Sequence, residues 1–211
     1  FMDEKIEVLK AVVERVNGRA PVIVGAGTNC TASTIELVNA VEACGVDGLL
    51  VVGPYYNKPT QEGYYQHFAA VAKSTTLPII VYNVPGRTGS NIEPRTIARL
   101  AAEFPNIVAV KEAAGNVAQT AELFRVLPEN VTIYSGDDGL VLPFMSVGAR
   151  GVISVLANIG GQMLQDVMQL YSEGKVAEAA ELNKKLVPLA NSMFIESNPI
   201  PVKYAVTKVT G

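Results

Sequence analysis

A lysine that follows a run of apolar residues is the first candidate for chemistry in this sequence. Residues 106–110, Asn-Ile-Val-Ala-Val, are typical of a strand that is buried on both faces, and Lys111 stands at its carboxyl end, shortly before Gly115 turns the chain into a helix. An ammonium at the mouth of an apolar strand loses hydration, which favours its neutral form and makes it a nucleophile toward carbonyl compounds. The alternative is a lysine that ends a strand in solvent.

Polar residues follow this apolar run and the other apolar runs of the chain. They are Asn29, Tyr55 and Tyr56, Tyr82 and Asn83, Lys111 and Glu112, Asp137 and Asp138, and Asn158. Enzymes built as (β/α)8 barrels place their active sites at the carboxyl ends of the barrel strands. This distribution favours a barrel over an open, doubly wound sheet, and the sequence lacks the GxGxxG and GxxxxGK[ST] patterns of nucleotide-binding sheets.

Apolar periodicity predicts six strands that alternate with helices. The strands, with the turns that follow them, are predicted at residues 21–27, 48–54, 78–82, 106–111, 131–135 and 151–155, and the helices at 3–16, 31–43, 61–73, 94–102, 117–126, 140–147, 162–171 and 175–194. Alternation of this kind indicates parallel strands that are joined by right-handed crossovers, with helices covering the sheet.

The predicted fold class is α/β, a (β/α)8 TIM barrel with C-terminal helices. A complete barrel has eight strands, typically in about 250 residues, and the sequence supplies six of them. Because the chain is predicted to be helical after Asn158, the two remaining strands are expected to precede residue 1. Residues 1–158 are therefore predicted to hold barrel strands three to eight, and residues 159–211 the final barrel helix and the start of a C-terminal helical region.

Composition and charge limit the classes of partner. The net charge is −3 and there is no run of Lys or Arg, so neither nucleic acid nor a membrane is expected as a partner. No apolar stretch reaches transmembrane length. Cys30 and Cys44 are too few for a disulfide framework, so free thiols and a cytoplasmic location are expected. His67, the sole histidine, is expected to be a partly exposed helix residue, and no metal site is predicted.

Several motifs then occur in a fixed order along the chain. They lie at residues 54–63, 82–89, 110–113, 135–138, 151–155 and 198–203. In this order they resemble the dihydrodipicolinate synthase family, which belongs to a superfamily of Schiff-base lyases and aldolases that also contains N-acetylneuraminate lyase. The resemblance covers essentially the whole chain.

The resemblance implies a class I (Schiff-base) lyase that condenses pyruvate with aspartate semialdehyde to 4-hydroxy-tetrahydrodipicolinate, in the biosynthesis of lysine and diaminopimelate. Lys111 would form an imine with the keto carbon of pyruvate, so no cofactor is implied. Tyr82 matches the tyrosine that transfers protons, and Tyr56 matches a second relay tyrosine that reaches the site of a neighbouring subunit. Arg87 matches the arginine that binds the carboxylate of aspartate semialdehyde through two parallel hydrogen bonds.

The family also implies a substrate pocket and an assembly. The backbone around Gly136 and Ile153 would line the pyruvate pocket. Asn29 and Tyr55 match two contacts of a lysine effector at a tight dimer interface, and the family forms homotetramers of two tight dimers. Asp137 and Asp138 are interpreted as helix N-caps and not as a metal-binding pair.

Two features depart from the family pattern. A Gly-Thr-Thr-Gly-Glu loop, which holds the pyruvate carboxylate and contributes a threonine to the proton relay, does not occur in the sequence. At the effector site Ser33 stands in place of a glutamate, and Lys5 in place of the usual histidine. A missing counter-charge and a nearby cation weaken the binding of a cationic amino acid. Inhibition by lysine is therefore expected to be weak or absent.

Two alternatives remain open. Another pyruvate-dependent aldolase of the same superfamily, acting on a sugar-derived keto acid, would share Lys111, although the sugar-acid lyases lack the Arg-Thr-Gly turn found at residues 87–89. The other alternative is an inactive, truncated barrel fragment, which the missing loop suggests.

Overall fold

A computed structural model describes residues 2–211 of the chain. The chain divides into two compact units: the first takes in the chain up to Ala114 together with Glu122–Thr132, and the second combines Gly115–Ala121 with Ile133–Gly211. Helix α6 (Val117–Val126) and strand β5 (Thr132–Ser135) each contain a boundary between the units. The division predicted at residue 158 separates the barrel strands from the final barrel helix and the C-terminal helical region. That division is of a different kind from these two units, and it stays a prediction.

The first unit contains four parallel strands that pair in chain order. Its elements are α1 (Met2–Val16), β1 (Ile23–Gly25), α2 (Thr31–Glu42), β2 (Gly48–Val52), α3 (Gln61–Lys73), β3 (Ile79–Asn83), the one-turn helix α4 (Pro85–Thr88), α5 (Pro94–Glu103) and β4 (Ile107–Glu112). Two helices begin with clear local signals. The Thr60 side chain accepts a hydrogen bond from the Gly63 N–H at the start of α3, and Pro94 occupies the first turn of α5.

The pairing of β3 with β4 contains a one-residue irregularity near the amino ends of the strands. Ile79 is level with Ile107, but Ile80 is level with Ala109, so one residue of β4 has no counterpart in β3. After this step, Tyr82 is level with Lys111 and Asn83 with Glu112. Since successive side chains of a strand point to opposite faces, Tyr82 and Lys111 share one face of the sheet. Asn83 and Glu112 share the other.

Apolar side chains of α3 pack under the carboxyl ends of the strands. Tyr64 and Phe68 of α3 are among the largest fully buried side chains. A Cβ placed on Gly53, just beyond β2, would lie 3.0 Å from Cε1 of Tyr64 and 3.1 Å from Cδ1 of Ile92. A side chain at residue 53 would therefore require Tyr64 or Ile92 to shift, because α3 and the loop that carries Ile92 approach the strand closely.

The second unit contains two parallel strands and a group of longer helices. Its elements are β5, a 3-10 turn at Asp138–Leu140, α7 (Val141–Ser146), β6 (Gly151–Val152), α8 (Ala157–Ser172), α9 (Val176–Ser192) and α10 (Ile200–Thr210), with Ser135 of β5 level with Val152 of β6. One apolar cluster forms its core, made of Val141, Leu156, Leu164, Val167, Leu186, Ala190, Met193 and Val202.

The predicted alternation of parallel strands and helices is confirmed in both units, with local differences. The last strand was expected at residues 151–155 but ends at Val152. The backbone N–H groups of Val155 and Leu156 instead donate to the buried carboxylate of Asp138, which draws the chain out of the sheet and into α8. Helix α8 begins at Ala157 and not at residue 162, and α10 was not predicted.

The prediction for His67 is wrong. The side chain is 5% exposed, its Nδ1 lies 2.9 Å from the hydroxyl of Thr31, and its ring packs edge-on against Phe68. Burial lowers the pKa of His67 to about 4. The residue is a neutral link between α3 and α2. In residues 2–211, no helix combines the length and apolar character that crossing a membrane requires.

Candidate active site

Lys111 and Tyr82 form the centre of the candidate site. They lie level with each other at the carboxyl ends of β4 and β3, on the same face of the first unit's sheet. The ammonium nitrogen of Lys111 is 4.3 Å from the centroid of the Tyr82 ring. An ammonium over an aromatic face is attracted by the ring quadrupole. The two residues that sequence reasoning singled out on successive strands are therefore in direct contact.

The phenol of Tyr82 lies in a half-buried setting. Burial raises its pKa above the ordinary tyrosine value, and the positive charge of Arg87 opposes that shift. The phenol thus stays protonated well above neutral pH, so Tyr82 enters any reaction near neutrality as a proton donor that can afterwards accept a proton back.

A cleft of about 340 Å³ opens on the same face of the sheet as Tyr82. Its walls come from β1, β2, β3 and α4, and they are formed by Gly25, Gly27, Leu50, Val52, Tyr55, Tyr82, Val84, Arg87 and Thr88. Gly27 is required by this packing, because a Cβ there would lie 2.5 Å from the backbone nitrogen of Val52. The cleft is largely apolar, with one cation and two phenols, which suits a small anionic ligand.

Arg87 reaches the cleft from α4, a helix of one turn. Pro85 starts the turn, and Gly89 ends it in the left-handed conformation with φ 82°. The buried Thr88 hydroxyl donates 2.7 Å to the carbonyl of Ser90, which closes the loop that follows. The sequence predicted a turn here, and the structure shows that the turn presents an exposed guanidinium to the cleft.

The loop of Tyr55 and Tyr56 is held in a strained conformation. Tyr56 has φ 74°, and the N–H of Asn57 donates 3.0 Å to the carbonyl of Tyr55, which makes Tyr56 the centre of a γ-turn that L-residues rarely adopt. The Tyr56 N–H donates 3.1 Å to the carbonyl of Thr88. Tyr55 lines the cleft, whereas the Tyr56 side chain is 87% exposed and is not among the residues that line the cleft. Asn29 accepts a bond through its carbonyl from the Asn57 amide, at 2.9 Å.

Gly136 and Ile153 lie in the second unit, each just beyond a strand. The N–H of Ile153 donates 2.8 Å to the carbonyl of Ser135, so the two predicted residues leave the sheet side by side. Asp137 caps the 3-10 turn by accepting a bond from the Gly139 N–H, whereas Asp138 lies inside that turn and its carboxylate accepts the N–H groups of Val155 and Leu156, just before α8. The interpretation as an N-cap is therefore confirmed for Asp137 and wrong for Asp138, whose carboxylate bonds to a segment that is distant in sequence. In residues 2–211, no group of three or more His, Cys, Asp or Glu side chains is arranged to hold a metal ion.

Sequence reasoning placed Asn83 and Glu112 among the polar residues at strand ends but gave them no role. Both are buried, at 1% and 0% exposure, and the Asn83 amide donates to both carboxylate oxygens of Glu112, at 3.2 and 3.1 Å. The sequence did contain a signal for these two residues: each directly follows a residue with a proposed chemical role, Asn83 after Tyr82 and Glu112 after Lys111.

Comparison with known proteins agrees with this geometry. The model of the dihydrodipicolinate synthetase family matches residues 2–210. The 4-hydroxy-tetrahydrodipicolinate synthase of Desulforamulus reducens is 52% identical over 203 residues, which are 96% of this chain and 69% of that protein.

Two solved structures are similar throughout the chain. The dihydrodipicolinate synthase of Acinetobacter baumannii in complex with pyruvate superposes with a TM-score of 0.94 at 44% identity, covering 100% of this chain and 72% of that one. A monomeric dihydrodipicolinate synthase variant superposes with a TM-score of 0.94 at 43% identity, covering 97% and 69%. The chain therefore belongs to the dihydrodipicolinate synthetase family.

Proposed function

We propose that this chain carries the chemistry of a 4-hydroxy-tetrahydrodipicolinate synthase, a Schiff-base lyase that condenses pyruvate with aspartate semialdehyde. The observation that carries the proposal is the contact of Lys111 with Tyr82, beside a cleft that Tyr82 shares with Arg87. This arrangement places an amine, a proton donor and a carboxylate-binding cation at one edge of one sheet. Membership of the family supports the same reaction.

The reaction begins at the Lys111 amine, which attacks the keto carbon of pyruvate. Loss of water from the resulting carbinolamine gives a protonated imine, and the carbinolamine oxygen leaves with a proton that Tyr82 can donate. The imine draws electrons from the methyl group, and the Tyr82 oxygen, left as a phenolate by the previous step, takes one methyl proton, which gives the enamine. The enamine carbon then attacks the aldehyde carbon of the second substrate, and the aldehyde oxygen takes up a proton. The imine itself is the electron sink, so no cofactor enters these steps.

Arg87 selects the second substrate. Its guanidinium stands at the cleft on a short, capped helix, and it can bind the carboxylate of aspartate semialdehyde through two parallel hydrogen bonds. Once the new carbon–carbon bond has formed, the amino group of that substrate attacks the imine carbon. Ring closure then releases the Lys111 amine.

Gly136 and Ile153 are the residues whose backbone is proposed to line the pyruvate pocket. They follow two paired strands of the second unit and are only half-buried. The support is their position at carboxyl strand ends, where barrel enzymes bind their substrates. We accordingly infer that the six strands belong to a (β/α)8 barrel, as in the family.

Tyr56 is proposed to act in the site of a neighbouring subunit. Its support is a strained backbone and a side chain that is 87% exposed and does not line the cleft of its own chain. In a homotetramer of two tight dimers, the Tyr56 side chain would complete the site of the neighbouring subunit. A monomeric variant of the family also exists. Asn29 and Tyr55 are the residues proposed for a vestigial effector site, and weak or absent inhibition by lysine remains our prediction. A cytoplasmic location remains a prediction as well.

One experiment separates this proposal from its alternatives. The purified chain is incubated with pyruvate and aspartate semialdehyde, and separately with a sugar-derived keto acid, while substrates and products are followed by NMR. The proposal expects pyruvate-dependent loss of aspartate semialdehyde. Cleavage of the sugar-derived acid alone would favour another aldolase of the superfamily, and no reaction with either substrate would favour the inactive fragment.

A further inference from the structure

A buried hydrogen-bonded pair lies on the opposite face of the sheet from Tyr82 and Lys111. Asn83 and Glu112 are level with each other, and each directly follows one of the two reactive residues. The Glu112 carboxylate is fully buried, and it accepts bonds from the Asn83 amide and, at 2.7 Å, from the Ala114 N–H. Removing a carboxylate from water is costly unless it is well hydrogen-bonded, so burial by itself does not explain a glutamate at this position. Another structural advantage must be gained there.

The irregular pairing of β3 with β4 indicates what is gained. Without the extra residue at the start of β4, Tyr82 would be level with Val110, and Asn83 with Lys111. A shift of one residue moves every side chain of a strand to the opposite face. Lys111 would then leave the face that carries Tyr82, and the reactive pair would be lost.

Only the observed register brings Asn83 level with Glu112. In the shifted register the Asn83 amide would face a buried ammonium, and Glu112 would move to the opposite face of the sheet. The hydrogen bonds between Asn83 and Glu112 therefore favour the register that brings Lys111 next to Tyr82. The N–H of Ala113 donates 2.8 Å to the carbonyl of Asn83 and extends the same pairing by one step.

Asn83 also fixes the end of the loop that carries Arg87. Its second amide proton is donated to the side-chain oxygen of Asn91 at 2.8 Å, and its own oxygen accepts the N–H of Ile92 at 3.0 Å. The segment of residues 84–92 begins directly after Asn83, and its last residue, Ile92, is bonded to the Asn83 side chain. Asn83 therefore holds both ends of the segment. Arg87 lies in the middle of that segment.

We propose that Asn83 and Glu112 are positioning residues that set the register of β3 and β4 and, through it, the relative placement of Lys111, Tyr82 and Arg87. The effect that we expect this role to have on activity rests on the proposed function. The residues touch no substrate, and they act through the three residues that do.

The chain offers a test by exchange of the two groups. Asn83→Asp alone places two carboxylates about 3 Å apart, and Glu112→Gln alone places an amide NH2 against the NH2 of Asn83. The double variant Asn83→Asp/Glu112→Gln restores one carboxylate facing one amide, with Asn91 presenting its amide nitrogen. Asn106→Asp is a matched control, because Asn106 holds the other end of β4 through bonds to the carbonyls of Ala72 and Thr75.

The measurements are the rate at which borohydride traps pyruvate on the chain, and the half-saturating concentration of aspartate semialdehyde. We expect each single variant to trap pyruvate about tenfold more slowly or worse and to need more aspartate semialdehyde, and the double variant to recover most of both losses. Asn106→Asp should lower the melting temperature and leave both kinetic values unchanged. Single variants that melt earlier but keep both kinetic values would overturn the proposal, because that is the result of a merely structural role.

Two provisions keep the test decisive. If a single variant does not fold, the double variant decides alone: it must fold and trap pyruvate, and failure in either respect overturns the proposal. Amide hydrogen exchange gives a readout that needs no substrate. Protection of the Ile92 and Ala113 amides should fall in Asn83→Asp and return in the double variant, whatever the chain does with pyruvate. Loss of trapping by the unmodified chain would instead count against the proposed function.

Discussion

The single histidine should make the stability of this protein depend on pH between 7 and 5. His67 is 5% exposed, and its Nε2 is buried with no hydrogen-bond partner among the described residues. Burial lowers its pKa from 6.5 to about 4. Protonation of the folded protein would therefore place a charge in an apolar setting with nothing to accept the new N–H.

The sign and size of the effect follow from this difference. The folded pKa is depressed, so the stabilisation is fully present above the unfolded pKa of 6.5 and is lost as the pH falls toward the folded pKa of about 4. At pH 5 most unfolded chains carry a protonated histidine while most folded chains do not. Linkage then gives a loss of about 2 kcal/mol in the free energy of unfolding between pH 7 and pH 5.

Urea unfolding followed by circular dichroism at pH 7 and pH 5 measures this loss, with His67→Gln as the comparison. Side-chain hydrogen bonds lower the pKa values of Glu62, Glu122 and Glu173 below the ordinary glutamate value. These carboxylates are the same in both proteins, so the comparison isolates the histidine. We expect the pH dependence in this window to be present in the unmodified chain and nearly absent in His67→Gln. Equal slopes in the two proteins would refute the assignment of a buried, neutral His67.

Three substitutions test the candidate site. Arg87→Ala should raise the half-saturating concentration of aspartate semialdehyde about 10- to 100-fold, the worth of a charged hydrogen-bonded pair, while the trapping of pyruvate by borohydride stays unchanged; slower trapping would contradict a role confined to the second substrate. Tyr82→Phe should slow imine formation about 100-fold or more at neutral pH, because it removes the proton donor, and stopped-flow rates near those of the unmodified chain would exclude that role. Gly27→Ala should cost about 1–3 kcal/mol in urea unfolding, because the added methyl meets the Val52 backbone at 2.5 Å; an unchanged midpoint would show that the cleft wall yields easily.

The order of strands and helices could be predicted from the sequence because it depends on local patterns. Runs of β-branched and apolar residues predicted the strands, and apolar spacing with caps predicted most helices. The contact between Tyr82 and Lys111 followed from the same reasoning, since both end successive strands and parallel neighbours bring their carboxyl ends together. The structure places these two residues 4.3 Å apart, from the Lys111 ammonium to the Tyr82 ring centre.

Features that depend on packing between distant segments could not be predicted in this way. The extra residue in β4 is invisible in an apolar run, because Ile107, Val108 and Ala109 suit either register. His67 was expected to be partly exposed, but it is buried and lies against Thr31, which is 36 residues away in sequence. The strained Tyr56 backbone is likewise held by a bond to the carbonyl of Thr88, the last residue of α4. Local sequence signals contain none of these tertiary contacts.

Intact-mass spectrometry after borohydride reduction with pyruvate shows whether Lys111 forms the imine. The chain should gain the mass of one pyruvic acid less one oxygen atom, and peptide mapping should place the addition on Lys111, the lysine that contacts Tyr82. Lys111→Ala should gain nothing, while Lys73→Ala, which alters an exposed lysine on α3, should gain the same mass as the unmodified chain. An addition that maps to another lysine, or a Lys111→Ala variant that is still labelled, would show that Lys111 is not the residue that forms the imine.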